Sequence, residues 1–105
     1  MNPAIQSIGI VEVSFYASAV VLLDVMLKAS NVVLLGSEKL LGGRLVVLFV
    51  GGRTSDVLSS LDAARAAAER LMKGHLKVAE AINNPHSEII RLIVKPENQE
   101  VDEHG

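Results

Sequence analysis

Apolar and polar positions along the chain form short aliphatic runs and longer stretches with helical spacing. The short runs are rich in Val, Ile and Leu and are bounded by polar residues, which is typical of β-strands. Strands are predicted at residues 7–13, 32–38, 44–50 and 76–82, and helices at residues 15–29, 56–73 and 88–92. The order β-α-β-β-α-β predicts an α+β, ferredoxin-like fold: an antiparallel sheet with two main helices on one face and a short C-terminal helix.

Polar residues mark the boundaries between these elements. Ser14, Ser55 and Ser87 each precede a helix and are predicted to cap its N-terminus with the side-chain oxygen. Asn31 is predicted to end the first helix, and residues 51–55 are predicted to form the turn before the second. The local signals thus assign a polar side chain to the start of every helix.

The first predicted helix is apolar on almost every side. Such a helix is buried on more than one side or lies in a membrane. The uncharged stretch between Glu12 and Asp24 is much shorter than the roughly 20 residues that a membrane span requires. We therefore expect this helix to pack between the sheet and a neighbouring subunit. Asp24 and Lys28 stand four positions apart in the acid-first order, which predicts a surface ion pair.

The composition also points to an oligomer. The chain is 50% hydrophobic but only 3% aromatic, and a chain of 105 residues is too small to bury so many aliphatic side chains by itself. Part of this apolar surface is therefore expected to contact other copies. The sequence predicts one domain over residues 6–93, followed by an acidic, disordered tail at residues 94–105.

Charge and cysteine content exclude several classes of function. A net charge of −2, with one Tyr, two Phe and no Trp, offers neither a basic surface nor a stacking platform for nucleic acid. The absence of cysteine excludes disulfides, thiolate metal sites and a cysteine nucleophile, and it suits the cytosol. The first residues lack the basic segment and apolar run of a secretory signal, so none is expected.

No cluster of catalytic or metal-binding residues is visible. His75, His86 and His104 are scattered, and none has a second imidazole or a carboxylate at ligand spacing. The chain has no Gly-x-Ser-x-Gly motif and no glycine-rich phosphate loop. We therefore expect a protein that is not an enzyme and that holds neither a metal nor another cofactor.

The most distinctive stretch is Glu-Lys-Leu-Leu-Gly-Gly-Arg at residues 38–44, which lies between two aliphatic runs. The adjacent Gly42 and Gly43 predict a β-hairpin turn that needs either a positive φ or a close approach of another backbone. Spacing alone assigns this segment no role beyond the turn.

Several short motifs in this chain resemble the bacterial microcompartment shell family. They read Gly-Ile-Val-Glu from residue 9, Leu-Asp-Val-Met-Leu-Lys-Ala-Ser-Asn-Val from residue 23, Gly-Ser-Glu-Lys from residue 36 and Pro-His at residue 85. The matching stretches of the family read roughly G-M-V-E-T, A-D-A-M-V-K-A-A-x-V and G-x-E-K-I-G-S-G. The spacing from Gly9 to Lys39 needs no gap, and the resemblance covers about residues 6–93. The length is similar to that of the single-domain, hexamer-forming members.

The resemblance implies a structural protein whose cyclic hexamers tile into a thin protein layer around enzymes, with a narrow pore on each sixfold axis. It implies that the pore is lined by Lys39, Leu40, Leu41, Gly42, Gly43 and Arg44. It implies that neighbouring hexamers meet at Lys28, Asn31, Asn84, Pro85 and His86. The implied partners are further copies, other shell proteins side by side, encapsulated enzymes and small polar or anionic metabolites in the bacterial cytoplasm, without nucleic acid or lipid membrane.

Three departures from the family pattern bear on this interpretation. Leu41 and Gly42 occupy the positions of a glycine and a serine in the family loop, which bears on pore selectivity. Asn84 occupies the position of an arginine that packs at the hexamer edge in relatives, which bears on the strength of tiling. The Arg-Gly-Asp often found after strand three is Val-Gly-Gly here. We expect Leu40 to pack against the neighbouring subunit and Leu41 to lie near the pore rim.

Two other classes of function remain open at this point. A small oligomeric ligand-binding regulator of ferredoxin-like fold would need a concave site with converging polar groups. An α+β-barrel enzyme that binds heme or a substrate would need a histidine positioned in its binding site or a pocket lined by aromatic side chains. The sequence shows neither pattern.

Overall fold

A computed structural model describes residues 5–94 of the chain, so the predicted acidic tail lies outside the described residues except for Val94. The four strands are β1 (Ser7–Ser14), β2 (Val33–Leu40), β3 (Leu45–Gly52) and β4 (Leu76–Asn83). The three helices are α1 (Tyr16–Ala29), α2 (Thr54–Leu71) and α3 (Ser87–Ile93). The predicted α+β fold and the order β-α-β-β-α-β are confirmed, with α3 as the short additional helix.

The sheet has the strand order β2-β3-β1-β4, with every pair antiparallel. β1 is central because it pairs with both β3 and β4. Its first residue, Ser7, lies opposite Gly52 and Asn83, and its last residue, Ser14, lies opposite Leu45. The sheet therefore has one end at Ser7 and the other at Ser14, and β1 connects them.

The hydrophobic core lies between the sheet and the two long helices. Alternate residues of β1 and β3 point toward the helices, because successive side chains of a strand point to opposite faces. The fully buried core members include Val11, Val50, Leu22, Met26 and Leu61. α1 and α2 also contact each other, so both lie on the same face of the sheet. No helix among residues 5–94 is long and apolar enough to cross a membrane.

α3 contacts the opposite face of the sheet. A Cβ atom added at Gly9 would touch Val57 and Leu61 of α2, which identifies the helix-covered face. Gly36 pairs with Phe49, whose side chain alternates away from that face. A Cβ atom added at Gly36 would lie 2.9 Å from the carbonyl oxygen of Ile93. Glycine at this position thus allows α3 to approach β2.

The predicted turn at residues 51–55 is wrong in its first half. β3 continues through Gly51 and Gly52, which pair with β1. Glycine is needed here for space, because a Cβ atom at Gly51 would lie 2.7 Å from Leu35 Cδ1, and one at Gly52 would lie 3.0 Å from the carbonyl oxygen of Asn31. These close contacts involve residues distant in sequence, so the local pattern suggested a turn instead.

The predicted serine caps are also wrong. Ser14 is still in β1, and α1 begins after Phe15, whose φ of 74° lies in the left-handed region. α2 begins at Thr54, ahead of Ser55, and no side chain caps it. α3 is capped by His86, whose Nδ1 accepts a hydrogen bond of 3.0 Å from the backbone N–H of Glu88. The β1–α1 and β3–α2 connections are too short to leave a serine in the capping position.

The hairpin between β2 and β3 turns through three successive left-handed residues. Leu41, Gly42 and Gly43 have φ angles of 54°, 66° and 89°. The backbone N–H of Arg44 closes the turn by donating to the carbonyl oxygen of Leu41 at 3.3 Å. A leucine in this region costs about 1–2 kcal/mol, and nothing lies within 4 Å of a Cβ atom added at either glycine. The conformation of this turn, and not crowding, therefore determines which residues it tolerates.

This turn gives a prediction about stability. Gly43→Ala is expected to lower the free energy of unfolding by about 1 kcal/mol, because alanine resists a positive φ. Leu41→Gly is expected to have the opposite sign, since it removes the same penalty. Urea unfolding at one fixed protomer concentration measures both changes.

The matched control is Ser37→Ala, an exposed position in the neighbouring strand, which should change the free energy of unfolding by less than about 0.5 kcal/mol. A Gly43→Ala variant as stable as the parent would mean that the turn does not hold a positive φ at this residue.

Candidate functional sites at the two ends of the sheet

Three chain segments meet at the end of the sheet that contains Ser14. The backbone N–H of Phe15 donates to the carbonyl oxygen of Arg44 at 2.8 Å, and the N–H of Ser14 donates to the carbonyl oxygen of His75 at 2.8 Å. These bonds connect the β1–α1 junction to the β2–β3 loop on one side and to the start of β4 on the other. The structure thus brings the predicted pore residues together at this end.

The side chains of this loop point largely into solvent. Leu41 is 65% exposed and Leu40 is 41% exposed in the single chain. Lys39 Nζ lies 5.1 Å from the centre of the Tyr16 ring, a cation–π distance, at the start of α1. Arg44 Nε donates to the carbonyl oxygen of Leu41 at 3.3 Å. The loop therefore presents an exposed leucine and two open glycines between two positive charges.

The candidate edge residues lie at the opposite end of the sheet. Asn31 follows α1, and its backbone N–H donates to Asp56 Oδ1 of α2 at 3.4 Å. The neighbouring Ser30 Oγ donates to the carbonyl oxygen of Asp56 at 2.7 Å. These bonds hold the end of α1 against the start of α2, beside Gly52.

Asn84 reaches the same end of the sheet from β4. Its backbone N–H donates to the carbonyl oxygen of Gln6 at 2.7 Å. The backbone N–H of Gln6 in turn donates to the carbonyl oxygen of Gly52 at 3.0 Å. Because the Asn31 carbonyl oxygen lies 3.0 Å from where a Cβ atom of Gly52 would be, the two segments lie at the same end of the sheet. Pro85 and His86 follow Asn84 directly, so the structure brings four of the five predicted edge residues to one end.

Lys28, the fifth edge residue, lies on the last turn of α1. Its Nζ lies 3.0 Å from Asp24 Oδ2, so the predicted ion pair is confirmed. The Lys28 side chain is 77% exposed, and exposed pairs of this kind contribute only about 0.3–0.5 kcal/mol to stability. The ammonium group is therefore accessible to another partner at little energetic cost.

A buried polar cluster holds the end with the edge residues in place, and sequence reasoning missed it. Ser7 is fully buried, and its Oγ lies 2.7 Å from Thr54 Oγ1 and 2.7 Å from Asn83 Oδ1. The backbone N–H of Thr54 donates to Gln6 Oε1 at 3.2 Å. This cluster links β1, β4 and α2. Its one sequence signal is a serine in a position of β1 that alternation assigns to the core.

The two sites are separated by the length of the central strand. β1 has eight residues, which at about 3.4 Å per residue corresponds to a length of about 24 Å. A loop with two uncrowded glycines thus lies at one end of the molecule, and a buried polar cluster lies at the other.

An apolar, solvent-open cavity of about 600 Å³ also lies between α3 and β2. Its lining is Ile5, Val33, Leu34, Leu35, Ile90 and Val94, with Ser87 and Arg91 as the polar members. Arg91 Nη1 is already paired with Glu88 Oε2 at 3.1 Å. No group of three His, Cys, Asp or Glu side chains within residues 5–94 could hold a metal ion.

The chain is similar in sequence to proteins of one known family. The chain matches the family model for the BMC domain over residues 7–85. It is 33% identical over 90 residues to the bacterial microcompartment shell protein PduA of Salmonella typhimurium, covering 86% of this chain and 93% of that protein. It is 31% identical over 97 residues to the carboxysome shell protein CcmK2 of Synechocystis sp., covering 92% of this chain and 93% of that one.

A solved structure shows the same architecture. A microcompartment protein from Desulfitobacterium hafniense matches with a TM-score of 0.74 and 28% sequence identity over 87% of this chain, which spans only 48% of that longer chain. Since the relatives are shell proteins, they support a structural role in a shell. On the family match and these identities, the chain belongs to the BMC domain family.

Proposed function

We propose that this protein is a structural shell protein of a bacterial microcompartment and that it forms cyclic hexamers with a central pore. The observation that carries the proposal is the separation of the two candidate sites. The β2–β3 loop lies at one end of the central strand, and the segments of Asn31 and Asn84 lie beside the strand ends at the other. A ring of six such protomers places one end at its axis and the other at its rim.

The exposed face of α1 supplies the contact between subunits. Ala19, Leu22 and Met26 are buried against the core, whereas Tyr16, Val20 and Leu27 are exposed in the single chain. A half-apolar surface on a short helix is unfavourable in water unless another protein covers it. A neighbouring subunit in the ring covers this stripe, as the apolar pattern of the sequence predicts.

The loop at the ring axis forms the pore. Six copies of Gly42 and Gly43 line a narrow neck, where open backbone amides favour anions or polar neutral molecules. Six copies each of Lys39 and Arg44 surround the mouths and are partly offset by Glu38. Leu41 opposes passage of polar solutes wherever its side chain turns inward. The pore therefore passes small polar or anionic metabolites, and Leu41 restricts which of these solutes can cross.

The rim of the ring carries the contacts between hexamers. The Lys28 ammonium group has three N–H donors and reaches the backbone carbonyl groups of the next hexamer. Asn31, Asn84, Pro85 and His86 shape the surface around it. The partners at this rim are further copies or other shell proteins, and the assembled layer encloses enzymes in the bacterial cytoplasm. The protein itself carries out no catalysis.

One observation favours a second candidate function, a small oligomeric ligand-binding regulator. The cavity between α3 and β2 is large enough, at about 600 Å³, for a small ligand. Its polar members are only Ser87 and Arg91, so it lacks the converging polar groups that such a regulator needs. The two functions are distinguished by assembly, since a shell protein forms rings and layers and a regulator forms small closed oligomers.

Lys28→Ala tests the proposed function. We expect hexamers to remain, because the ion pair with Asp24 contributes little, and extended layers to be lost, because the rim loses its donor. Native mass measurement reports the hexamer, and negative-stain microscopy reports the layers.

Lys73→Ala is the matched control. Lys73 Nζ forms a similarly exposed pair with Glu69 at 3.2 Å, also four residues apart, with Glu69 in the last turns of α2 and Lys73 two residues after its end. This variant should leave both hexamers and layers intact. Layers that persist unchanged in Lys28→Ala would contradict the rim role, and a stable monomer or dimer of the parent protein would contradict the ring.

A further inference from the structure

A contact between two aromatic rings lies directly behind the β2–β3 loop. The rings of Phe15 and His75 are edge to face, with their centres 5.1 Å apart and an interplanar angle of 61°. His75 Nδ1 also lies 2.8 Å from Ser18 Oγ on the first turn of α1. His75 is thus fixed on two sides by the β1–α1 junction, although it belongs to the loop before β4.

Phe15 holds an uncommon backbone conformation at this junction. Its φ of 74° and ψ of 129° lie outside the regions that a bulky residue prefers. Such a conformation persists only where the surroundings fix it from several directions. Here the N–H of Phe15 donates to the carbonyl oxygen of Arg44, its own carbonyl oxygen accepts from the N–H of Ala19 at 3.1 Å, and its ring contacts His75.

These contacts form a chain that ends at the loop. His75 holds the Phe15 ring, the Phe15 backbone holds Arg44, and Arg44 closes the turn on Leu41. We infer that His75 is a positioning residue for residues 41–44 and acts through Phe15. The positioning role concerns this chain alone. The consequence that His75 thereby controls the neck of a pore rests on the proposed function.

Backbone amide hydrogen exchange tests the inference on the purified, full-length protein. In His75→Ala, the amides of Phe15 and Arg44 should exchange about 2- to 10-fold faster, the range that one aromatic contact accounts for. His75→Phe keeps a ring against Phe15 and should restore exchange close to that of the parent. His86→Ala, a histidine at the opposite end of the sheet, should leave both amides unchanged.

Phe15→Gly separates positioning from stability. Glycine adopts a positive φ freely but removes the ring that His75 holds. We expect the Phe15→Gly protein to unfold at the same urea concentration as the parent or at a higher one, while the Arg44 amide exchanges faster. If Phe15 only stabilised the fold, Phe15→Gly would lower the urea concentration of unfolding as well as speed exchange of the Arg44 amide.

Two results would overturn the inference. One is unchanged exchange at Phe15 and Arg44 in His75→Ala. The other is an equal increase in exchange across all of β1, which would mean general destabilisation. Both can be read from isolated protomers or hexamers, so the inference can fail while layers still assemble. If the parent protein formed no rings and no layers, that result would instead contradict the proposed function and leave the role of His75 in the loop intact.

Discussion

The pairing of β1 with both β3 and β4 is the constraint on which the rest of the structure depends. The antiparallel register fixes which residues meet at each end of the strand: Ser7 with Gly52 and Asn83, and Ser14 with Leu45. The two candidate sites follow from that register, since their loops are the connections that leave the two ends. A shift of one residue would reverse the faces of β1 and remove Val11 and Val13 from the core.

The two ends are built differently. The end with the edge residues is held by a buried cluster of Ser7, Thr54 and Asn83, with hydrogen bonds of 2.7 Å. The loop end is held mainly by backbone hydrogen bonds, together with the contacts of His75 to the Phe15 ring and to Ser18 Oγ. The two ends therefore differ in what holds them: buried side-chain hydrogen bonds at one end and bonds between chain segments that converge on a solvent-exposed loop at the other. The difference arises within one small domain.

The sequence predicted the elements well because their signals are strong and local. The aliphatic runs and the near-3.6 spacing identified all four strands and the two long helices. The boundaries failed where the decisive partner is distant in sequence. Gly51 is a strand residue because Leu35 packs beside it, and Ser7 is a buried hub because Asn83 lies opposite it. No local pattern contains these pairings.

The candidate sites could be predicted only in part. The resemblance proposed the loop and the edge segments as sites, and physical chemistry explains why two glycines occupy the turn. Neither the resemblance nor the local sequence revealed that Leu41 adopts a positive φ, or that Phe15 does so at the neighbouring junction. Both are conformations that propensity disfavours, and tertiary contacts impose them. Such positions are where functional constraints commonly outweigh local preference.

Electron cryo-microscopy of the assembled protein tests the proposed ring most directly. We expect a ring of six protomers with the turn Leu41–Gly43 at the sixfold axis and Lys28, Asn31 and Asn84 at the rim. A closed dimer, or a ring with this turn at its rim, would contradict it.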